Sequence, residues 1–299
     1  RGLILRLALP AHRLVLLDGK ARLAVGALAG AASAPAMPPY GLWPILFLTF
    51  PAAVLILDGT GSDRDGLRAA GYAGFAFGFG YFLAGLWWIG MAFFVPGDTY
   101  QWMMPFAVLG LPLVLALFTA LGFIIARALW SNGPGRILAF AFGLSVSEWL
   151  RGHVLTGFPW NEFGYALANT SLIGQSASLV GVEGLTVIAV AVFAARATLN
   201  DETGAWRWRP PAIALGILVL LAAFGAARLY MSGETQFTDT SVRIMQPNIP
   251  QDDKFRPSAK GEIMARYLAL SQQRVSESGT LDKADIVVWP ESAFPFFLA

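Results

Sequence analysis

The 299-residue chain is 56% hydrophobic and only 13% charged, where a soluble domain carries about 25% charged residues, so a wholly water-soluble protein is excluded. Its 21 Lys and Arg against 19 Asp and Glu leave a net charge of +2, too small an excess for polyanion binding, which sets nucleic acid aside as a partner. Cysteine is absent, so these residues can build no disulfide, thiolate metal site or thiol nucleophile, and no cofactor is expected. The chain opens on Arg1 and shows no short apolar core with a small-residue cleavage site, so it is expected to be a fragment, cut at its start and at its end.

A helical span needs roughly 20 apolar residues to cross about 30 Å of hydrocarbon. Residues 23–57 carry no charge but are interrupted by Pro35, Pro38 and Pro39, which predicts two spans, the first short, joined by a tight turn at "SAPAMPPYGLWP". Residues 69–97 and 99–126 are each long enough to cross with tilt, and "VPGDTYQW" between them has the residues of an interfacial turn. Residues 137–150, 176–195 and 210–227 supply a fifth, sixth and seventh apolar segment. A membrane domain of about seven transmembrane helices over residues 1–231 is the expectation.

Orientation follows from the Lys and Arg of the short connections, which collect on the cytoplasmic side. Arg1, Arg6, Arg13, Lys20, Arg22, Arg64, Arg68, Arg127, Arg136, Arg196, Arg207 and Arg209 all fall on one side, against Arg151 and Arg228 on the other. The N-terminus is therefore expected inside, and everything after about Tyr230 outside.

The outer turn after the fifth span, "EWLRGHVLTGFPWNEFGYALANTSLIGQ", is long and aromatic. Trp149, Phe158, Trp160, Phe163 and Tyr165 suit a membrane interface, where an apolar ring with a polar tip sits well. Glu148 and Arg151, three apart on a helix end, read either as an interfacial ion pair or as part of a lipid-handling site. With two histidines in the whole chain, a histidine metal site at His153 is not expected. Glu183, within an apolar stretch, either faces an interior or watery cavity or is a helix-end residue reaching the interface.

After Met231 the apolar periodicity stops, and residues 232–240 read as a polar linker to a second domain over residues 241–299. "SVRIMQ" reads as a strand, "PNIPQDDKFRP" as a loop, and residues 259–277 as a helix with Ile263, Met264, Tyr267, Leu268 and Leu270 mostly on one face. "DIVVWP" is a continuous apolar strand of the kind buried on both faces. Strand, helix, strand at this spacing joins parallel strands, and ligands of open α/β sheets bind beyond their carboxyl ends, where Glu291 stands. A lone Glu in such a place is as a rule a loop residue. Here Trp289, Pro290, Phe294 and Phe296 surround it, a setting that raises a carboxylate's proton affinity and suits a general base.

Taken together, "SAPAMPPYGLWP", "GFGYFLAGLWWIG", "EWLRGHVLTGFPWNEFGYA", "GVEGLTV", "MQPNIPQDDKF" and "VVWPES" make the chain resemble the apolipoprotein N-acyltransferases, bacterial inner-membrane enzymes built from a membrane bundle and a nitrilase-like (carbon-nitrogen hydrolase) α-β-β-α sandwich. The resemblance implies a Glu-Lys-Cys triad whose Glu maps onto Glu291, with the Lys, the Cys and a last span falling past Ala299, so that this stretch alone is inactive. It further implies a phospholipid acyl donor, a diacylglyceryl apolipoprotein acceptor, and a multi-pass protein of the inner membrane with its catalytic domain on the periplasmic side. Where the family often has Trp after "PQxxK", this chain has Phe255. Phe158, Trp160 and Phe255 are the expected lipid-contact residues. Two other classes stay open: a membrane-tethered nitrilase-type amidase on a soluble amide, and a transporter or scaffold, although no internal repeat of the transporter kind is visible.

Overall fold

Each of the seven apolar segments is helical in the computed structural model, which describes residues 13–94, 100–201, 205–233, 236–254, 256–272 and 284–290. The helices are α1 (Gly19–Ser33), α2 (Leu46–Asp58), α3 (Arg64–Leu86), α4 (Met104–Ala128), α5 (Gly135–His153), α6 (Ala177–Ala194) and α7 (Arg209–Met231). Contacts divide the chain into two units, residues 1–90 with 102–232, and residues 91–101 with 233–299.

Local sequence explains the breaks. Pro35, Pro38 and Pro39 cannot donate to a helical ladder, and the chain between α1 and α2 turns through Met37 N–H to Ala34 O (3.0 Å) and Leu42 N–H to Pro35 O (2.9 Å). Asp63 caps α3, its Oδ1 accepting from Gly66 N–H at 2.8 Å. Gly181, at φ +67°, interrupts α6 one turn from its start, a conformation that costs glycine little. Among the described residues, four segments are long and apolar enough to cross a bilayer by themselves: 64–94, 101–128, 173–200 and 206–231. The other three differ for separate reasons. Helix α2 is only 13 residues long and buried on nearly every side, so its length answers to packing within the bundle. Helix α1 has 15 residues, and α5 carries Arg136, Glu148 and Arg151.

In lipid there is no hydrophobic drive between helices, so close backbone approach through small residues has to supply it. A Cβ on Gly30 of α1 would lie 1.8 Å from the Phe77 carbonyl oxygen of α3, and one on Gly143 of α5 would lie 2.3 Å from the Gly122 carbonyl oxygen of α4. Gly30→Leu in the complete protein is therefore expected to lower stability by at least about 1–3 kcal/mol through overpacking, read as a fall in the thermal unfolding midpoint in detergent. An unmoved midpoint would show that α1 and α3 do not meet there.

At the centre of this unit sits Phe50 of α2, fully buried. Its ring lies 6.4 Å from Phe77, 6.1 Å from Phe140, 6.2 Å from Phe193 and 4.8 Å from Phe163, joining α2 to α3, α5, α6 and the 154–164 loop. At the end of the bundle away from that loop, Arg136 holds Asp201 at 2.6 Å and Asp58 at 3.3 Å, and Trp130 Nε1–H donates to Asp58 at 2.9 Å.

The second unit contains β1 (Val242–Ile244), β2 (Ile286–Val288) and α8 (Lys260–Gln272). The strands are parallel, in the register Val242 with Ile286, Arg243 with Val287 and Ile244 with Val288. Met245, Ala259, Ile263 and Tyr267 form its core, with Ile249, Leu270 and Trp289 against them. Trp289 packs at a tilt on Tyr267, with the ring centroids 5.3 Å apart, and its Nε1–H donates to Ser271 Oγ at 3.2 Å. Burial of the second strand on both faces is not what is found: Ile286 is 48% and Val288 43% exposed. Among the described residues, one helix and two strands do not cover both faces of the sheet.

Candidate functional site

The 154–164 loop is irregular backbone held by side chains of three helices. Leu155, Thr156 and Gly157 all take positive φ, which turns the chain back toward α5, and Phe158 N–H then donates to Arg151 O at 2.8 Å. Arg151 is 1% exposed. Its Nη1 donates to the carbonyls of Phe158 and, at 2.7 Å, Trp160, while Nη2 donates to Glu148 Oε1 at 3.0 Å. The other Glu148 oxygen accepts from Phe163 N–H at 2.9 Å. From α3, Tyr81 OH donates to Asn161 O at 2.8 Å, and from α6, Thr186 Oγ1 accepts from Gly164 N–H at 3.0 Å.

The Glu148–Arg151 pair, read as an interfacial ion pair or as part of a lipid-handling site, is a buried clamp, because the loop folds back over it. Its guanidinium also lies 5.1 Å from the Phe82 ring. Glu183 differs from it: its side chain is 58% exposed just beyond the Gly181 break, 3.9 Å from His153 Nε2. Among the described residues no three His, Asp or Glu side chains form a possible metal site.

Pinned in this way, the loop closes one wall of an apolar groove of about 940 Å³. The proline turn (Pro35, Pro38, Tyr40) forms a second wall, the end of α3 (Ala84, Gly85) and the 3-10 turn that follows it (Trp87, Trp88) the third, and Trp160, Asn161 and Tyr165 come from the loop and the short helix after it. Trp160 stacks on Trp88 at 5.3 Å and 24°. Phe158 packs against Trp160 at 5.3 Å without lining the groove. Gly85 lets the loop approach, since a Cβ there would lie 2.5 Å from Asn161 Nδ2. Of the residues expected to act, Phe158 and Trp160 are therefore together, whereas Glu291 and Phe255 lie outside the described residues. Trp88 and the proline turn are additions; "GLWWIG" and "SAPAMPPYGLWP" contain them, but only the fold shows that they face one another.

Beside the clamp lies Glu162, 7% exposed. Burial pushes its carboxyl up to about 7, the charges of Glu148 and Glu183 add to the rise, and Arg151 and His153 oppose it.

Helices of this length and apolarity, joined by short turns, define a helical multi-pass membrane protein. The sequence profile described as "Apolipoprotein N-acyltransferase N-terminal domain" matches residues 29–195, from the last turn of α1 to the end of α6, and the chain belongs to the apolipoprotein N-acyltransferase family. It is similar to proteins of that name from Rhodopseudomonas palustris (48% identical over 303 residues, all of this chain and 56% of the relative) and Bradyrhizobium diazoefficiens (49% over 297 residues, 98% and 55%). Its similarity to that of Brucella melitensis is 40% over 297 residues, 96% and 55%. The chain spans about half the length of the curated relatives it matches.

Proposed function

We propose that this chain is the N-terminal part of an N-acyltransferase that moves an acyl chain from a phospholipid, through a cysteine thioester, to the N-terminal diacylglyceryl-cysteine of apolipoproteins. Support comes from the family match together with the groove, an apolar slot beside the stacked Trp88 and Trp160 of the size and lining that an acyl chain fills. In this reading residues 1–231 cross the inner membrane about seven times, residues 232–240 link, and residues 241–299 begin a periplasmic nitrilase-like domain. Glu291 would take the proton of a cysteine supplied by the rest of the protein. The thiolate attacks the ester carbonyl, the ester C–O bond breaks, and the leaving lysophospholipid takes the proton back. The acceptor α-amine then attacks the thioester, the C–S bond breaks, and the thiol is restored.

The test is release of lysophospholipid and the matching mass gain on the complete protein after mixing with phosphatidylethanolamine vesicles. Turnover of a soluble amide without phospholipid would instead identify an amidase, and neither activity would leave a transporter or scaffold. Within this assay, alanine at Trp160 or at Phe255 is expected to raise the KM for phospholipid about two- to twelvefold, the loss of an aromatic contact of about 0.5–1.5 kcal/mol. Thioester formation unchanged in both variants would remove them from the lipid path.

A further inference from the structure

Glu162 is the one described residue of the loop whose acidic side chain lies inside the protein with no partner holding it. The residue is 7% exposed, and among the described residues no side-chain hydrogen bond or ion pair is found for its carboxyl. It lies against α5, where a Cβ on Gly152 would be 3.6 Å from Glu162 Oε1. The charged and titratable groups around it come from three helices: Glu148, Arg151 and His153 from α5, Glu183 from α6, and Tyr81 from α3. Both residues before it, Trp160 and Asn161, line the groove.

An ionised carboxylate in such a place has little water and no donor to stabilise it, and two neighbouring carboxylates repel it. A protonated one has no such penalty. We propose that Glu162 makes the loop's hold on the groove proton-dependent: as an acid it stays beneath His153 and Glu183, and as a carboxylate it moves out to water and draws Trp160 away from Trp88.

The sign follows from the two states. With the loop open the carboxyl is hydrated and titrates near the ordinary 4.5, and with the loop closed it titrates at about 7. The closed loop is therefore fully favoured below pH 4.5, loses that advantage as pH rises between these values, and loses no more above 7.

The experiment is hydrogen exchange of peptides spanning residues 154–168 in the complete protein in lipid nanodiscs, from pH 5 to pH 8, corrected for intrinsic rates and without substrate. Because no acyl transfer is read, failure here is separate from failure of the enzymatic reading. Protection is expected to fall by up to about tenfold per pH unit, the limit for one coupled proton, and then to level off. Glu162→Gln should stay protected throughout. Should that variant not fold, Glu183→Gln decides by moving the transition to lower pH, and His153→Gln by moving it higher. Protection that is independent of pH in the unmodified protein, a slope retained by Glu162→Gln, or a transition unmoved by Glu183→Gln would each overturn the proposal.

Discussion

Arg151→Met in the complete protein is expected to cost about 3–5 kcal/mol of stability, the usual result of removing one partner from a buried ion pair. The guanidinium serves four groups at once: Glu148, the Phe158 and Trp160 carbonyls, and the Phe82 ring. Methionine fills much of the same volume but leaves the Glu148 carboxylate buried with only the Phe163 N–H and two carbonyls without donors. Adding Glu148→Gln to Arg151→Met should recover part of the loss, since the amide carries no charge and can still accept from Phe163. Equilibrium unfolding in mixed micelles checks both variants. A single variant within about 1 kcal/mol of the parent, the range of exposed pairs, would mean that the clamp is not closed in the membrane.

Glu291→Gln should lower acyl-enzyme formation by about 10²–10⁴-fold, the usual contribution of a positioned general base. Glutamine keeps the size and one acceptor oxygen of the glutamate but cannot take a thiol proton. The measurement is the mass of the complete protein after a short pulse with phospholipid, with a binding assay to show that lipid still associates. Undiminished acylation would remove Glu291 from the base role that the family resemblance assigns it.

The apolar segments, the proline turn and the parallel pairing of the two strands are legible in the sequence because each rests on local rules: run length, missing donors, spacing. What is not legible depends on which chain segment returns to cover which. Spacing makes Glu148 and Arg151 neighbours on one helix face, but their burial comes from a loop that folds back ten residues later, through three consecutive positive φ angles. Trp160 stands out because its loop is aromatic. Trp88, 72 positions earlier, reads as one more residue of a span until its ring is seen against Trp160. Glu162 gives no signal at all, since a glutamate between Asn161 and Phe163 in a polar turn reads as exposed. The short α2 is the converse case, where an unbroken apolar run looks like a span and the fold uses it as the middle of the bundle.

The clamp also bears on how much water the 154–164 loop needs. Irregular backbone is tolerated among lipid tails only where protein, in place of water, satisfies its polar groups. Here Arg151, Glu148, Tyr81 and Thr186 do so for Phe158, Trp160, Asn161, Phe163 and Gly164. Those five backbone groups therefore need no water of their own while the loop is closed. On the proposed acyl transfer, an acyl chain reaching Trp160 would meet a wall whose polar backbone is already satisfied, so that its entry displaces little water.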